Sequence, residues 1–294
     1  MNIKDLEAFL AIAETENMQL AANQCDKSPS VMSKSLKRLE LLLNAQLFDR
    51  VGKHIKLNAT GVKFREHAAH LIAQAKQAIS ECSGLKADYH YRIAAPSILY
   101  FRWASVISKV LMQHQTDSAI EFQTHYEQQA LERLKRGMAD IAIVTSALSE
   151  QLPTSMFSAP LGKLNMQVAA GKSHPLVIDS TEQGSTPLVT TTAELLQHNF
   201  IGPDTSPYCG ENRGIGCDGW QNQLHPRKLN MVANDYAVLG QIVKSGQALA
   251  YLPDFWIREL DLVPIEVTDD SYQYHEEILL VSYQSHIVAL FLES

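Results

Sequence analysis

The side chains best suited to chemistry between Ser28 and Lys53 are short polar and cationic groups that could contact nucleic acid. Hydroxyl and ammonium groups near the start of a helix can donate hydrogen bonds to base edges, whereas cations elsewhere bind phosphates. The candidate base contacts are Ser30, Ser33 and Lys34, with Pro29 and Val31 against thymine methyl groups. The other candidate DNA contacts are Ser28 at the helix start and the cations Lys37, Arg38, Arg50 and Lys53, of which the last three suit phosphates.

The sequence pattern predicts a helix that would carry these groups on one face. Ser28 can cap the helix and Pro29 suits its first position, and the helix is expected to end near Asn44. Leucines on the opposite face recur at three- and four-residue steps, at Leu36, Leu39, Leu43 and Leu47. A shorter helix over 18–25 precedes it across a tight link. The pair predicts a helix-turn-helix, with an ordinary helical hairpin of an enzyme as the alternative.

The segment after this hairpin reads as a short basic wing over 47–57. The first sixty residues resemble the N-terminal domain of LysR-type transcriptional regulators. The matching positions are Leu6, Phe9, Ala21-Ala22, Ser28-Pro29-Ser30, Ser33, Leu39-Glu40, Leu47-Phe48, Arg50, Leu57 and Gly61. Two positions depart from the family pattern: Asn44 replaces a glycine, and Asn58 replaces a threonine. Asparagine tolerates the left-handed conformation and caps helices, so both departures fit the domain.

The charge distribution supports a local basic face on an acidic chain. The 294 residues carry a formal net charge of −7. Between Ser28 and Leu57, however, six cations face only two carboxylates, which gives this stretch a net charge of +4. A local basic face is what phosphate binding requires, although charge alone would not indicate a nucleic-acid partner.

A long helix is predicted to follow Asn58 and to run to about residue 86. Its apolar residues follow a heptad spacing, at Phe64, Ala68, Leu71, Ala75, Ala78, Cys82 and Leu85. A solitary helix cannot bury such a seam, so it is expected to pair with a second copy. The alternative is a helix packed on its own domain. The resemblance favours pairing, because this is the position of the dimerising linker helix in LysR-type regulators.

The remainder of the chain alternates strands and helices. Strands are predicted over 91–95, 119–125 and 141–144, with helices over 97–114 and 128–137 between them. Short, fully apolar strands indicate a doubly wound, parallel α/β sheet covered on both faces. Leu99, Trp103, Val106, Val110 and Leu111 are the predicted buried residues of the first of these helices.

This half resembles the effector-binding part of the same regulators, whose fold is a two-lobed, periplasmic-binding-protein-like α/β domain. The matching pieces are Leu134 with Gly137, the run from Ala139 to Ala142, His174-Pro175-Leu176, and Gly246 leading to Leu252-Pro253. The predicted domains are a winged helix-turn-helix over 1–58, a linker helix over 59–88 and an effector domain over 89–294. The lobes of the last are expected over 91–162 with 266–294, and over 163–265.

Ligands of open α/β sheets bind beyond the carboxyl ends of the strands, beside the starts of helices. The candidate effector contacts are Pro96, Ser97, Ile98, Gln128 (in the loop that starts with Glu127), Thr145, Ser146, Gly202, Pro203, Asn234 and Asp235. The resemblance places an inducer in the cleft between these loops. Ser97 and Thr145 could donate to a small anion, whereas the neighbouring Tyr100, Phe101 and Trp103 would favour an apolar or aromatic effector.

Catalytic and metal-binding motifs are missing from the sequence. It contains no His-Glu-x-x-His or Cys-x-x-Cys, no glycine-rich phosphate loop and no Gly-x-Ser-x-Gly elbow, so neither an enzyme nor a cofactor is expected. A ligand-binding protein without regulatory output is a further alternative. Cys209 and Cys217 flank a glycine-rich segment containing Arg213, which could favour a thiolate, so a redox-responsive regulator is also an alternative.

The expected partners follow from the resemblance and the composition. They are double-stranded DNA with a roughly palindromic site, a small-molecule effector, and a second copy through the linker helix, in a dimer or tetramer. RNA polymerase is a further candidate partner. No apolar run approaches the ~18 residues of a membrane span, the N-terminus does not resemble a signal peptide, and four cysteines do not form a disulfide scaffold. A cytoplasmic location is therefore expected.

Overall fold

The structure is a computed structural model that describes residues 1–51, 54–83, 90–114, 119–182, 188–211, 216–269 and 274–292. Lys53, Leu85 and Arg213 lie outside the described residues, as does the side chain of Cys82. No helix in the described part of the chain is long and apolar enough to cross a membrane.

Three helices and a two-stranded hairpin form the N-terminal domain. They are α1 (Ile3–Thr15), α2 (Met18–Gln24), α3 (Pro29–Leu43), β1 (Phe48–Val51) and β2 (His54–Leu57). The two strands are antiparallel. Phe9 is fully buried at the centre, with edge-to-face ring contacts to Phe48 and Phe64. Ile3, which the spacing places inward, remains 36% exposed because it lies on the first turn of α1, at the edge of this core.

Local signals set the ends of these helices. Asn17 accepts hydrogen bonds from two backbone N–H groups of α2, and Ser28 accepts one from the Val31 N–H at the start of α3. Asn44 takes the left-handed conformation (φ 48°) after α3. These are the caps that the sequence predicts, because each depends only on a side chain and the backbone within a few residues.

Helix α4 (Ala59–Ser83) starts close against the hairpin. Asn58 accepts a hydrogen bond from the Gly61 N–H, and a Cβ at Gly61 would lie 2.2 Å from the Leu47 carbonyl oxygen. The heptad seam is divided between two environments. Ala68 and part of Phe64 pack into the core of the N-terminal domain, whereas Leu71 is 40% exposed and Ile79 54% exposed. Packing on the chain's own domain thus accounts for only the first part of the seam.

Eight strands of the C-terminal half form one mixed sheet. The strands and helices in chain order are β3 (His90–Ala95), α5 (Ser97–His114), β4 (Ala119–Thr124), α6 (Glu127–Lys135), β5 (Ile141–Thr145), β6 (Phe157–Ala170), α7 (Pro175–Glu182), β7 (Leu188–Thr190), α8 (Thr192–Leu195), β8 (Phe200–Gly202), β9 (Leu229–Val232), α9 (Tyr236–Lys244), β10 (Ala250–Pro253), α10 (Asp254–Glu259), β11 (Val263–Val267), β12 (His275–Ser282) and α11 (Ser285–Leu292). In the eight-stranded sheet the strand order is β4-β3-β5-β12-β6-β11-β7, with β10 also paired to β6.

Strand β6 joins two lobes. Its first part pairs antiparallel with β12 beside β5, β3 and β4, which we call the first lobe. Its second part pairs antiparallel with β10 and β11, which together with β7, β8 and β9 we call the second lobe. The predicted boundary at residues 162 and 163 falls inside this strand. The predicted parallel arrangement is confirmed for β3, β4 and β5, whereas β12 pairs antiparallel with both β5 and β6.

Helix α5 has the predicted length, but its buried face differs by one residue. Val106 is 47% exposed, whereas Ile107 and Ile98 are buried with Leu99, Trp103 and Leu111. Both valine and isoleucine suit a core, so composition could not choose between these adjacent positions. The sheet that covers the helix sets which of them lies inside.

Candidate functional site

The outer face of α3 is exposed and polar, as predicted. Ser28, Ser30, Val31, Ser33, Lys34 and Lys37 are exposed and Pro29 is half-buried. The Ser28 and Ser30 hydroxyls lie 3.0 Å apart, and the opposite face buries Met32, Leu36 and Leu39. The helix therefore offers a row of hydrogen-bond donors from a rigid, well-anchored element.

Arg38 differs from its neighbours because it is bound within the domain. Its Nη2 lies 2.5 Å from Asp5 Oδ1 and its Nε donates to Asp5 Oδ2 at 3.2 Å, with a further bond to Ser35. The hydrogen bond from Arg38 lowers the pKa of Asp5. This pair ties α1 to α3, so the guanidinium has a structural contact that the sequence does not reveal.

The hairpin beside α3 presents further cations. Arg50 on β1 and Lys56 on β2 are exposed. The hairpin is fastened to the helices by two carboxylates: Glu40 accepts from the Leu47 N–H at 2.8 Å, and Glu16 accepts from the Leu57 N–H at 2.9 Å. The first contact fixes the wing to α3, and the second fixes it to the C-terminal end of α1.

Several side chains of the predicted effector loops have local roles. The Asn234 amide binds the Asp204 side chain and two backbone N–H groups. Asp235 caps α9 by accepting from the Ala237 N–H at 2.8 Å, and Gln128 donates to Gln151 on the surface. These contacts are the turn and cap roles that polar residues commonly have.

The other loop residues differ in access. Ser97 is exposed at the start of α5 and Ser146 is half-buried, whereas Pro96 and Ile98 are buried. Gly202 and Pro203 are buried in the second lobe, beside the ion pair of Asp218 and Arg227. That pair is fully buried, with Nη2 2.7 Å from Asp218 Oδ1, and the guanidinium lies over the Phe200 and Trp220 rings.

Glu127, the neighbour of the predicted Gln128, faces the cleft. Its side chain is 4% exposed, and its Oε2 accepts from the Thr145 hydroxyl at 2.9 Å. Burial and the nearby Glu276 raise the pKa of Glu127 to about 7, against the opposing hydrogen bond from Thr145. Thr145 is thus committed to a carboxylate, which conflicts with the expectation that it donates to an anion.

The two lobes touch at this point. The Glu127 N–H donates to the Tyr208 carbonyl oxygen at 2.9 Å. Gly210 has a φ of +71°, and a Cβ there would lie 2.3 Å from the Tyr126 ring, so the loop of the second lobe packs closely on the first. Tyr208 and Tyr236 of the second lobe are buried, and burial raises the pKa of both well above the ordinary value.

The cysteine pair does not show the features of a reactive thiolate. Cys209 and Cys217 are both free. The Cys217 thiol donates to the Pro203 carbonyl oxygen at 3.1 Å, and burial together with Asp218 raises its pKa to about 12. A thiol held in its protonated form is a poor nucleophile toward oxidants, which argues against the redox alternative.

Comparison with known proteins identifies the family. Residues 3–62 match the bacterial regulatory helix-turn-helix proteins of the lysR family, and residues 87–288 match the LysR substrate binding domain. The chain belongs to the LysR family. LysR-type regulators are DNA-binding transcriptional regulators with an effector-binding domain, and the fold described above has both parts.

Relatives and solved structures agree with this assignment. The uncharacterized HTH-type transcriptional regulator YwqM of Bacillus subtilis is 22% identical over 271 residues, which is 88% of this chain and 84% of the relative. A full-length OxyR variant from Pseudomonas aeruginosa has a TM-score of 0.67 at 15% identity, covering 100% of this chain and 94% of that one. Full-length CbnR in complex with its target DNA has a TM-score of 0.53 at 16% identity, covering 100% and 98%. These likenesses show the LysR-type fold over the whole chain.

Proposed function

We propose that this LysR-type regulator reads DNA with the exposed face of α3 in the major groove. Ser30, Ser33 and Lys34 would bind base edges, with Pro29 and Val31 against thymine methyl groups. Arg50, Lys37 and Lys53 would bind phosphates, with Arg38 contributing while it is paired to Asp5. The observation that carries the proposal is the capped, exposed and polar face of α3 beside a basic hairpin. CbnR, which shares the fold, has been solved with its target DNA.

We further propose that two copies pair through α4. Leu71 of the heptad seam and Ile79, which lies next to seam residue Ala78, are exposed, and a second helix would cover them. Two copies place two recognition helices one or more duplex turns apart, so the DNA site should be roughly palindromic. A tetramer would use additional contacts, and RNA polymerase remains a candidate partner at the promoter.

A protein acting on chromosomal DNA works in the cytoplasm, as a regulator rather than an enzyme.

The cleft between the lobes is the proposed effector site. The support for this proposal is that Glu127, which accepts from the Thr145 hydroxyl in the first lobe, contacts Tyr208 of the second. A ligand bound there would favour one arrangement of the lobes and so change the spacing of the paired DNA-binding domains. The ligand thereby modulates DNA binding.

Footprinting tests the DNA-binding proposal. The purified protein is incubated with the DNA flanking its own coding region, with and without an excess of unrelated DNA. We expect protection of two half-sites related by approximate dyad symmetry, which survives the competitor. Protection that disappears with the competitor, or that shows no preferred position, would contradict the proposal.

A further inference from the structure

Two buried polar atoms where the lobes touch lack a hydrogen-bond partner among the described residues. They are Glu127 Oε1 on the first lobe and the hydroxyl oxygen of Tyr208 on the second, and the two residues are joined by the hydrogen bond from the Glu127 N–H to the Tyr208 carbonyl oxygen. A buried polar group without a partner costs free energy, so a folded protein normally satisfies it with another group, with water or with a ligand. Two such atoms on facing residues of the proposed effector site indicate that a ligand supplies the missing contacts.

The groups that surround Glu127 Oε1 and the Tyr208 hydroxyl are acidic or aromatic. Burial is the main cause that raises the pKa of Tyr208, and Tyr236, Tyr274, Glu276 and Glu127 raise it further. The Tyr274 hydroxyl donates to Glu276. Arg227 pairs with Asp218 and, with Nε and Nη1 unpartnered among the described residues, acts on Tyr236 rather than on Glu127 or Tyr208. An anionic group bound at Glu127 and Tyr208 would therefore meet two carboxyl groups, those of Glu127 and Glu276.

We propose that the effector carries a protonated amine or guanidinium group that ion-pairs with Glu127 Oε1, with the Tyr208 hydroxyl oxygen as a further acceptor. An ammonium group brings up to three donors and no acceptor, which complements a carboxylate oxygen and a phenol oxygen. Aromatic faces around the site also attract a cation. The inference rests on the cleft being the effector site, and it replaces the earlier expectation of a small anion or an apolar effector.

The protonation behaviour of Glu127 supports this ligand class. Its carboxyl group has a pKa raised to about 7, so burying it as an anion without a partner is costly. A cation beside Oε1 offsets that cost and lowers the pKa again. A cationic ligand that binds the protonated form therefore releases the carboxyl proton to the solvent.

Calorimetry of the full chain at pH 7.5 tests the proposal. The cationic probes are 1,4-diaminobutane, agmatine, L-lysine, L-arginine and tyramine, and the anionic probes, which carry no amine, are succinate and benzoate. We expect at least one cationic probe to bind and the anions not to bind. Glu127→Gln should lower the affinity for the cation at least about tenfold, because it removes one side of a buried charged pair. Tyr208→Phe, which deletes only a hydroxyl group, should lower that affinity by about threefold or more.

Glu150→Gln is the matched control, since Glu150 is an exposed carboxylate outside the cleft and should leave the affinity unchanged. Thermal unfolding of each variant confirms that it is folded. Binding of an anion in place of the cations, no binding by any cationic probe, or wild-type affinity in Glu127→Gln would each overturn the proposal. The footprint separates the two claims: a cation that binds through Glu127 without altering the footprint would contradict the regulatory role of the cleft, but not the ligand class.

Discussion

Lys34 is the residue on which specific recognition of DNA is expected to depend most. Its ammonium group is exposed near the start of α3, where it can donate to a base edge. Lys34→Ala should weaken binding to the preferred site by about 1–3 kcal/mol and relax specificity, as measured by fluorescence anisotropy on specific and unrelated duplexes. If the variant keeps the wild-type ratio of specific to non-specific affinity, the assignment of Lys34 to a base is wrong.

Arg50→Ala provides the comparison, because a phosphate contact carries no sequence information. We expect it to weaken all duplexes alike and to reduce the slope of log K against log salt by about 1. A selective loss on the preferred duplex would instead place Arg50 at a base.

Glu127 should give the ligand-free protein a characteristic dependence of stability on pH. Its pKa is about 7 when folded and near 4.5 when unfolded, so the folded state holds the proton more tightly. The stabilisation is fully present below about pH 4.5 and is lost as the pH rises through 7. The unfolding free energy of Glu127→Gln minus that of wild type should therefore increase by about 1–3 kcal/mol from pH 5 to pH 8.

Urea unfolding of both proteins at the two pH values measures this difference. Burial also lowers the pKa of His174, to about 4, but that residue titrates in both proteins and its effect cancels. Equal differences between wild type and variant at pH 5 and pH 8 would show that the Glu127 carboxyl is not perturbed.

At the scale of elements, α4 should hold two copies together. Leu71→Glu places a carboxylate on the exposed part of the seam, where a second helix would leave it buried and unpaired. We expect sedimentation to show loss of the dimer, together with loss of operator binding, while circular dichroism shows a folded effector domain. Val62→Glu changes an exposed valine of the same helix outside the seam and serves as the control. An unchanged oligomer in Leu71→Glu would rule out this interface.

The elements that could be predicted from the sequence are those set by local contacts. Caps such as Asn17 and Asn44 act within one turn, and the run from Ile141 to Val144 is apolar throughout. The apolar pattern predicts a strand only from Leu164 onward, whereas β6 begins at Phe157, because its first part is held by pairing with β12 and contains Pro160 and Gly162. Helices α7 and α10 and strands β7 and β11 were not predicted, since their short segments lack a clear period.

For the candidate sites too, the sequence predicts local features but not contacts between distant residues. The sequence predicts which loops follow the strand ends, but side-chain direction within a loop depends on tertiary packing. Gln128, which lies on the surface, and Glu127, which is buried, are adjacent residues. Tyr208 and Tyr236 come from a different lobe, and no local pattern links either to Glu127. Long-range pairs such as Arg38 with Asp5 are likewise invisible in the sequence.

At the scale of the whole molecule, the two domains are in direct contact. A Cβ at Gly137, just after α6, would lie 3.1 Å from Leu10 of α1 and 3.4 Å from Ala69 of α4. The His70 and Tyr283 rings are 5.3 Å apart, and a cavity of about 320 Å³ lies beside these contacts, away from the cleft. The first lobe is therefore in a position to transmit a change in the cleft to the DNA-binding domain.

Ala69→Glu tests that contact, because Ala69 is buried against Gly137 and a carboxylate there would be desolvated. We expect small-angle scattering to report a larger radius of gyration and the footprint to lose its response to ligand. Lys63→Glu makes an exposed change on the same helix and should affect neither quantity. An unchanged radius and a retained response would show that the contact does not couple the domains.

The central claim is that α3 of a paired LysR-type regulator reads a specific DNA site. Footprinting of wild type and Lys34→Ala on the DNA flanking the coding region tests it most directly. The account predicts two protected half-sites, one or more helical turns apart, which persist in excess unrelated DNA for wild type and fade for the variant. Protection without a preferred position, or protection that Lys34→Ala leaves intact in the same competitor, would contradict it.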